Sequence, residues 1–222
     1  MRTQHAQHNT AAKARSCTDP AQLDYLVRDS STRIRAIAAA SPSLSSDTVM
    51  RLALHEINAD VCEALAANPA AAPYALECLQ QRLVEFDPGR ARRIAGKLLG
   101  NPNLDETAGR ACCELLLEAA DAVQPELTRA MLLWARRAGA RDLRERLDEQ
   151  IRRFPSRAIG VLRGAEKHPL PADVRKRLEA MIVAAAGELG SSELLIAADL
   201  PSAAVRDAVA PRLIGEPPAV AR

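Results

Sequence analysis

Aromatic residues are almost missing: two Phe, two Tyr and one Trp in 222 residues, 2% of a chain that is 48% hydrophobic. A core without rings must be built from Ala, Leu, Val and Ile, which suits closely packed helices better than a sheet, where β-branched and aromatic side chains dominate. An excess of one charge is missing too. Thirty Lys and Arg against 28 Asp and Glu leave a net charge of +2, so a nucleic acid or an anionic membrane would have to be met by a local patch rather than by the whole chain. No apolar run approaches the roughly 18 residues of a membrane span. The N-terminal stretch MRTQHAQHNTAAKARS has no apolar segment suited to secretion, and a cytoplasmic protein is expected. That stretch is acid-free and carries Arg2, Lys13 and Arg15, as transit peptides do, but it lacks an apolar face and reads as a disordered leader.

Sites of familiar chemistry are also absent. There is no glycine-rich phosphate loop, G-x-S-x-G elbow or H-E-x-x-H helix. The five cysteines, Cys17, Cys62, Cys78, Cys112 and Cys113, are odd in number and form no C-x-x-C pair, which points to reduced, buried, small apolar side chains. Cys112 and Cys113 are adjacent on a helix and so diverge. His5-x-x-His8 has a ligand spacing but no further ligands, and His55 with Cys62 or Cys78 would need fixed geometry to act as a thiolate–base pair. Neither a metal nor a cofactor is expected.

What the chain does have is punctuation. In DVCEALAANPAAAPYALECL, Asp60 to Leu79, two helix-like apolar runs are split by Asn68-Pro69, and Pro73 sits where a second helix can start. Asp19-Pro20 and Asp87-Pro88 pair a capping oxygen with a proline at the first helical position. Short helices are predicted over 33–40, 46–55, 59–67 and 73–86, with no sustained alternation of period two.

Aligned on their prolines, RIRAIAAASP (Arg33 to Pro42), DVCEALAANP (Asp60 to Pro69) and IAGKLLGNP (Ile94 to Pro102) share an aliphatic residue eight positions before proline, and a second apolar helix follows each. Pro42 and Pro69 are 27 residues apart, Pro69 and Pro102 33. The pattern of an aliphatic-Arg pair, small residues, Asn-Pro and a second Leu-containing helix resembles the leucine-rich repeat variant, a bacterial helical-repeat family akin to HEAT repeats. It is carried by Ile34-Arg35 with Ser41-Pro42, Val61-Cys62 with Asn68-Pro69 and Ile94 with Asn101-Pro102, and Val205-Arg206 begins a degenerate last copy. Cys62 and Ala95 stand where the family has arginine, and the repeats exceed its usual length, so a HEAT-like arrangement of longer helices fits equally. The resemblance implies an all-α fold: an α-solenoid of short helical pairs wound as a right-handed superhelix. A founding member holds iron and sulfur through an N-terminal cysteine cluster; with Cys17 alone in that region, the cofactor does not carry over.

The expected organisation is a disordered tail over 1–18, a single helical-repeat domain over 19–214 and a C-terminal tail over 215–222. Within the domain, 19–118 holds the regular repeats and 119–214 longer, less regular helices, Glu126 to Ala138, Arg141 to Arg153 and Ala172 to Leu189 among them. The most charged run is WARRAGARDLRERLDEQIRRFPSR, Trp134 to Arg157. It reads either as an arginine groove with Trp134 stacking on a base, or as a solvated face in which Asp142, Asp148 and Glu149 pair with Arg146, Arg152 and Arg153 one turn on. Trp134 is either a binding anchor or core packing. Trp134, Arg136 and Arg137 are the candidate partner-binding residues.

Two functions follow. The first is a non-enzymatic scaffold binding a protein or peptide on its concave face, because stacked helices expose a long continuous surface. The alternative is nucleic-acid binding or DNA repair through an arginine-lined groove, by similarity of organisation to HEAT-like DNA glycosylases.

Overall fold

Proline and a capping oxygen start several of the helices. Asp19 accepts from the Ala21 N–H ahead of Pro20, and Asp87 accepts from the Arg90 N–H ahead of Pro88. Asp105 accepts from the Ala108 N–H in the same way, satisfying a donor that the first turn of a helix leaves open. The computed structural model describes residues 11–118 and 124–214, and among these the chain forms helices and turns with no strand.

Two compact units divide the chain, Met1–Ala119 and Ala120–Arg222. In the first lie α1 (residues 11–16), α2 (Pro20–Leu26), α3 (Thr32–Ala39), α4 (Ser46–His55), α5 (Ala59–Ala66), α6 (Pro73–Gln81) with a 3₁₀ extension Arg82–Glu85, α7 (Pro88–Gly100) and α8 (Glu106–Glu118). In the second lie α9 (Pro125–Arg137), α10 (Arg141–Arg153), α11 (Pro155–Gly164), α12 (Ala172–Ala185), α13 (Ser191–Ala198) and α14 (Ala203–Leu213). Within the leader expected to be disordered, residues 11–16 are helical, with Ala11 and Ala14 buried. Residues 1–10 and the expected tail 215–222 lie outside the described residues.

From α3 to α8 and from α9 to α14 each helix packs on the one two places further along, and consecutive helices such as α7 and α8, α11 and α12, and α13 and α14 pack together as well. The first unit has α3 on α5 and α5 on α7 in one row, and α4 on α6 and α6 on α8 in the other. The second has α9 on α11 and α11 on α13, and α10 on α12 and α12 on α14. The apolar stripes explain this. In α7, Ala91, Ile94, Ala95 and Leu98 are buried at the i, i+3, i+4, i+7 spacing of one helix face. Ala38, Ala39, Ala66 and Ala95 are all fully buried, and their small side chains let neighbouring helices of the α3–α5–α7 row approach closely, which is why the core needs few aromatic residues. Gly160 serves the same end in the second unit. A Cβ there would lie 2.5 Å from Cγ of Pro125, the first residue of α9.

The Asn-Pro turns do more than stop helices. Asn68 is fully buried, and its side-chain amide donates to the carbonyls of Ala39 and Ser41 in the preceding turn, both at 2.9 Å, while its Oδ1 accepts from the Ala70 N–H. Asn101 repeats this one copy later: it donates to Ala66 and Asn68 at 2.8 and 2.9 Å and accepts from the Asn103 N–H. Asn103 then donates to Pro69 and Ala71. Each rung meets one carbonyl that a helix end would otherwise leave unpaired, Ala39 or Ala66, and adds a second partner to a turn carbonyl that already accepts locally, Ser41 from the Leu44 N–H or Asn68 from the Ala71 N–H. Ser41, the equivalent residue of the first copy, keeps the local half of the pattern and accepts from the Ser43 N–H.

The residue after the aliphatic position has a fixed task as well. Arg35 donates to the Asp29 carbonyl, Arg206 to the Leu200 carbonyl and the Cys62 thiol to the Glu56 carbonyl, each six residues back. Cys62 is a weaker donor than a guanidinium, and Arg82 reinforces it from the 3₁₀ extension, reaching the Glu56 and Ala53 carbonyls at 3.1 and 2.9 Å.

Candidate functional site: an arginine pocket in the second unit

The three candidate residues separate in the structure. Trp134 is 2% exposed and belongs to the buried face of α9 with Met131 and Ala135, so its ring offers no face to a base or a partner, and the anchoring role is withdrawn. Arg136 and Arg137 end α9 and are exposed, as cations favoured by the helix dipole. Arg136 is committed to α12: its Nε donates to both carboxylate oxygens of Asp173, at 2.8 and 3.1 Å.

Arg136 nevertheless borders a pocket that sequence reading did not assemble. The pocket lies between α9, α10 and α12, and its charged lining is Arg136, Arg144, Arg177, Asp148 and Asp173. Leu132, Val174 and Leu178 supply an apolar wall. Asp148 is 6% exposed and pairs with Arg177 of α12, not with Arg152 one turn along its own helix. The reason is its place beside Leu147 in the buried stripe of α10, which turns it inward. No signal in the sequence connects residues 144 and 148 to residue 177; the clue available was an aspartate next to a core leucine.

Counted by the lining residues alone the charges do not balance, although the Glu145 carboxylate also acts on Arg177. Three guanidinium groups meet two carboxylates, and among the described residues Arg144 has no ion-pair partner. The Nε of Arg144 and the Oδ1 of Asp148 are both buried without a hydrogen-bond partner. Loss of water, then repulsion from Arg144, pulls the Arg177 guanidinium below its ordinary value. The Arg144 and Asp148 atoms are both sealed from solvent, four residues apart on α10, so the mismatch lies behind the pocket's surface.

No family model, curated protein or solved structure matches this chain. Other candidates lack chemistry of their own. The Cys62 and Cys113 thiols are pushed up to about 12 by burial, and that of Cys112 is raised further for the same reason, so none is a nucleophile at neutral pH. His55 and His168 are exposed, and His5 and His8 lie outside the described residues. Among the described residues, no group of three His, Cys, Asp or Glu is placed to hold a metal ion, and no helix is long and apolar enough to cross a membrane.

Proposed function

We propose that the chain is a non-enzymatic, cytoplasmic helical-repeat scaffold, a solenoid of the leucine-rich repeat variant or HEAT type, that binds a protein or peptide on the concave face of its stack. The observation that carries this reading is the two-apart packing of helices in both units, with buried side-chain amides joining successive turns of the first. Such packing spends the interior on holding repeats together and leaves a row of helices for recognition. Selection of random displayed peptides on the purified full chain tests it. Specific peptide binders are expected, and a selection that enriches none would contradict the reading.

The second reading, an arginine-lined nucleic-acid groove, is favoured by the uncompensated Arg144. It is opposed by the two aspartates in the same pocket and by the burial of Trp134. Binding to duplex DNA at several salt concentrations separates the two, since contact with many phosphates would make affinity fall steeply with salt.

A further inference from the structure

A different cleft of the second unit, between α11, the first half of α12 and the turn joining α13 to α14, specifies a partner chemistry, given the peptide-binding reading above. The geometry points to one Lys or Arg side chain of a bound peptide, its cationic head between Glu166 and Glu179, its methylene stem along Leu162, Leu200 and Pro201, and a peptide carbonyl accepting from Arg175. Three features carry this. First, the lining sets two carboxylates against one guanidinium, and among the described residues none of these three side chains makes an ion pair or a hydrogen bond. Arg175 precedes Glu179 by four residues on α12, the weaker order for a pair on one helix, so Glu179 stays available. Second, the charged groups can be reached. Glu166 and Arg175 are exposed and Glu179 is half-buried, while Leu162 and Leu200, 5% and 2% exposed, close the floor. An apolar floor under a charged mouth suits a side chain with an alkyl stem and a cationic end. Third, no neighbouring cation holds either glutamate. Arg206 is committed to the Leu200 carbonyl at 2.8 Å. Arg163, Lys167 and Lys176 are exposed neighbours in sequence that line no part of the cleft, and none forms an ion pair with Glu166 or Glu179. An acidic side chain or a phosphodiester would meet two carboxylates for one guanidinium.

Phage-displayed random dodecapeptides are selected on the full chain, and a synthetic peptide of the enriched sequence is then titrated against the parent, Glu179→Gln, Glu166→Gln and Arg175→Gln. Thermal melts establish that the variants fold. Enrichment of Lys or Arg is expected, with affinity falling about tenfold in Glu179→Gln, in line with loss of a charge-assisted hydrogen bond. Glu166→Gln should lower it by a smaller factor, because Glu166 is the more exposed. A fall like that of Glu179→Gln is expected when the peptide's basic residue becomes norleucine, which keeps the stem and removes the charge. The two changes together should cost little more than either alone, whereas a merely structural role for Glu179 would make the losses multiply. Binders without a basic residue, or binders held equally by Glu179→Gln, would overturn the cleft assignment while leaving peptide binding standing. Acidic binders lost in Arg175→Gln would overturn it as well, by reversing the charge preference. No enriched peptide would remove the scaffold reading and the assignment together.

Discussion

The two units stack helices in the same two-apart order and join them with different side chains. In the first, Asn68 and Asn101 run neutral amide rungs through buried turns, with the exposed pair Arg93–Glu63 crossing from α7 to α5 outside them at 2.6 Å. In the second, where no asparagine occurs after residue 103, the crossings are ion pairs, Arg136–Asp173 and Arg177–Asp148. The difference is one of cost and sensitivity. An amide meeting two carbonyls can be buried without a counter-charge, whereas a carboxylate cannot be buried without strong pairing. Half-exposed ion pairs are also screened by salt and titrate with acid. The amide rungs of the first unit should therefore be insensitive to conditions and intolerant of substitution, and the ion pairs of the second the reverse.

The largest effect should come from breaking a rung. Asn68→Ala leaves the buried Ala39 carbonyl unpaired, takes the second partner from the Ser41 carbonyl, which keeps the Leu44 N–H, and frees the Ala70 N–H, a loss of about 3 kcal/mol at roughly 1 kcal/mol for each of the three hydrogen bonds. Asn101→Ala should cost about the same, and chemical denaturation measures both. Next comes Gly160→Ala, which presses a methyl group to within 2.5 Å of Pro125 and 2.9 Å of a second atom of its ring. Overpacking of this kind costs about 1–3 kcal/mol, and the destabilisation should be confined to the second unit. Asp148→Asn, which takes the charge from a pair with Arg177 half in solvent, should cost about 2 kcal/mol, less than for a fully buried pair.

How far these residues could be read in advance divides along the same line. Pro20, Pro73 and Pro88 start helices as their local sequence says, and the caps at Asp19, Asp87 and Asp105 follow from rules that act within four residues. Asn68 was legible as a stop, because proline beside it speaks locally. Its reach to Ala39 was not, since that contact spans 29 residues of sequence; two asparagines at equivalent places in successive copies were the available hint. The helix α11 escaped for a related reason. Its PSRAIGVLRG carries two glycines that read as breakers, and the use of Gly160 is visible only once Pro125 lies against it. The expected pairing of Asp148 with Arg152 failed because the i, i+4 rule describes a solvated helix, and Asp148 faces α12.

A smaller effect sharpens the comparison from the side of conditions. Asp173 is held below its ordinary value of 3.8, first by the hydrogen bond from Arg136. A depressed carboxylate adds stability that is fully present above its unfolded value and is lost as pH falls through the folded one, so this contribution should begin to decline below about pH 4 and vanish only once the folded value is passed. Arg136→Gln should flatten that part of the stability curve. Its effect at neutral pH should be the smallest of these and shrink further as salt is raised. The rungs of Asn68 and Asn101 contain no titrating group, and their variants should keep their full deficit across the same pH and salt range.

Amide hydrogen exchange on the parent and on Asn68→Ala tests the central distinction most directly. Faster exchange is predicted at the Ala70 amide and through α3 and α5, whose turns the rung joins, with α9 to α14 unchanged. Exchange that stays as slow as in the parent at Ala70 and across the first unit would show that the buried amides do not hold the repeats together, and would contradict the account.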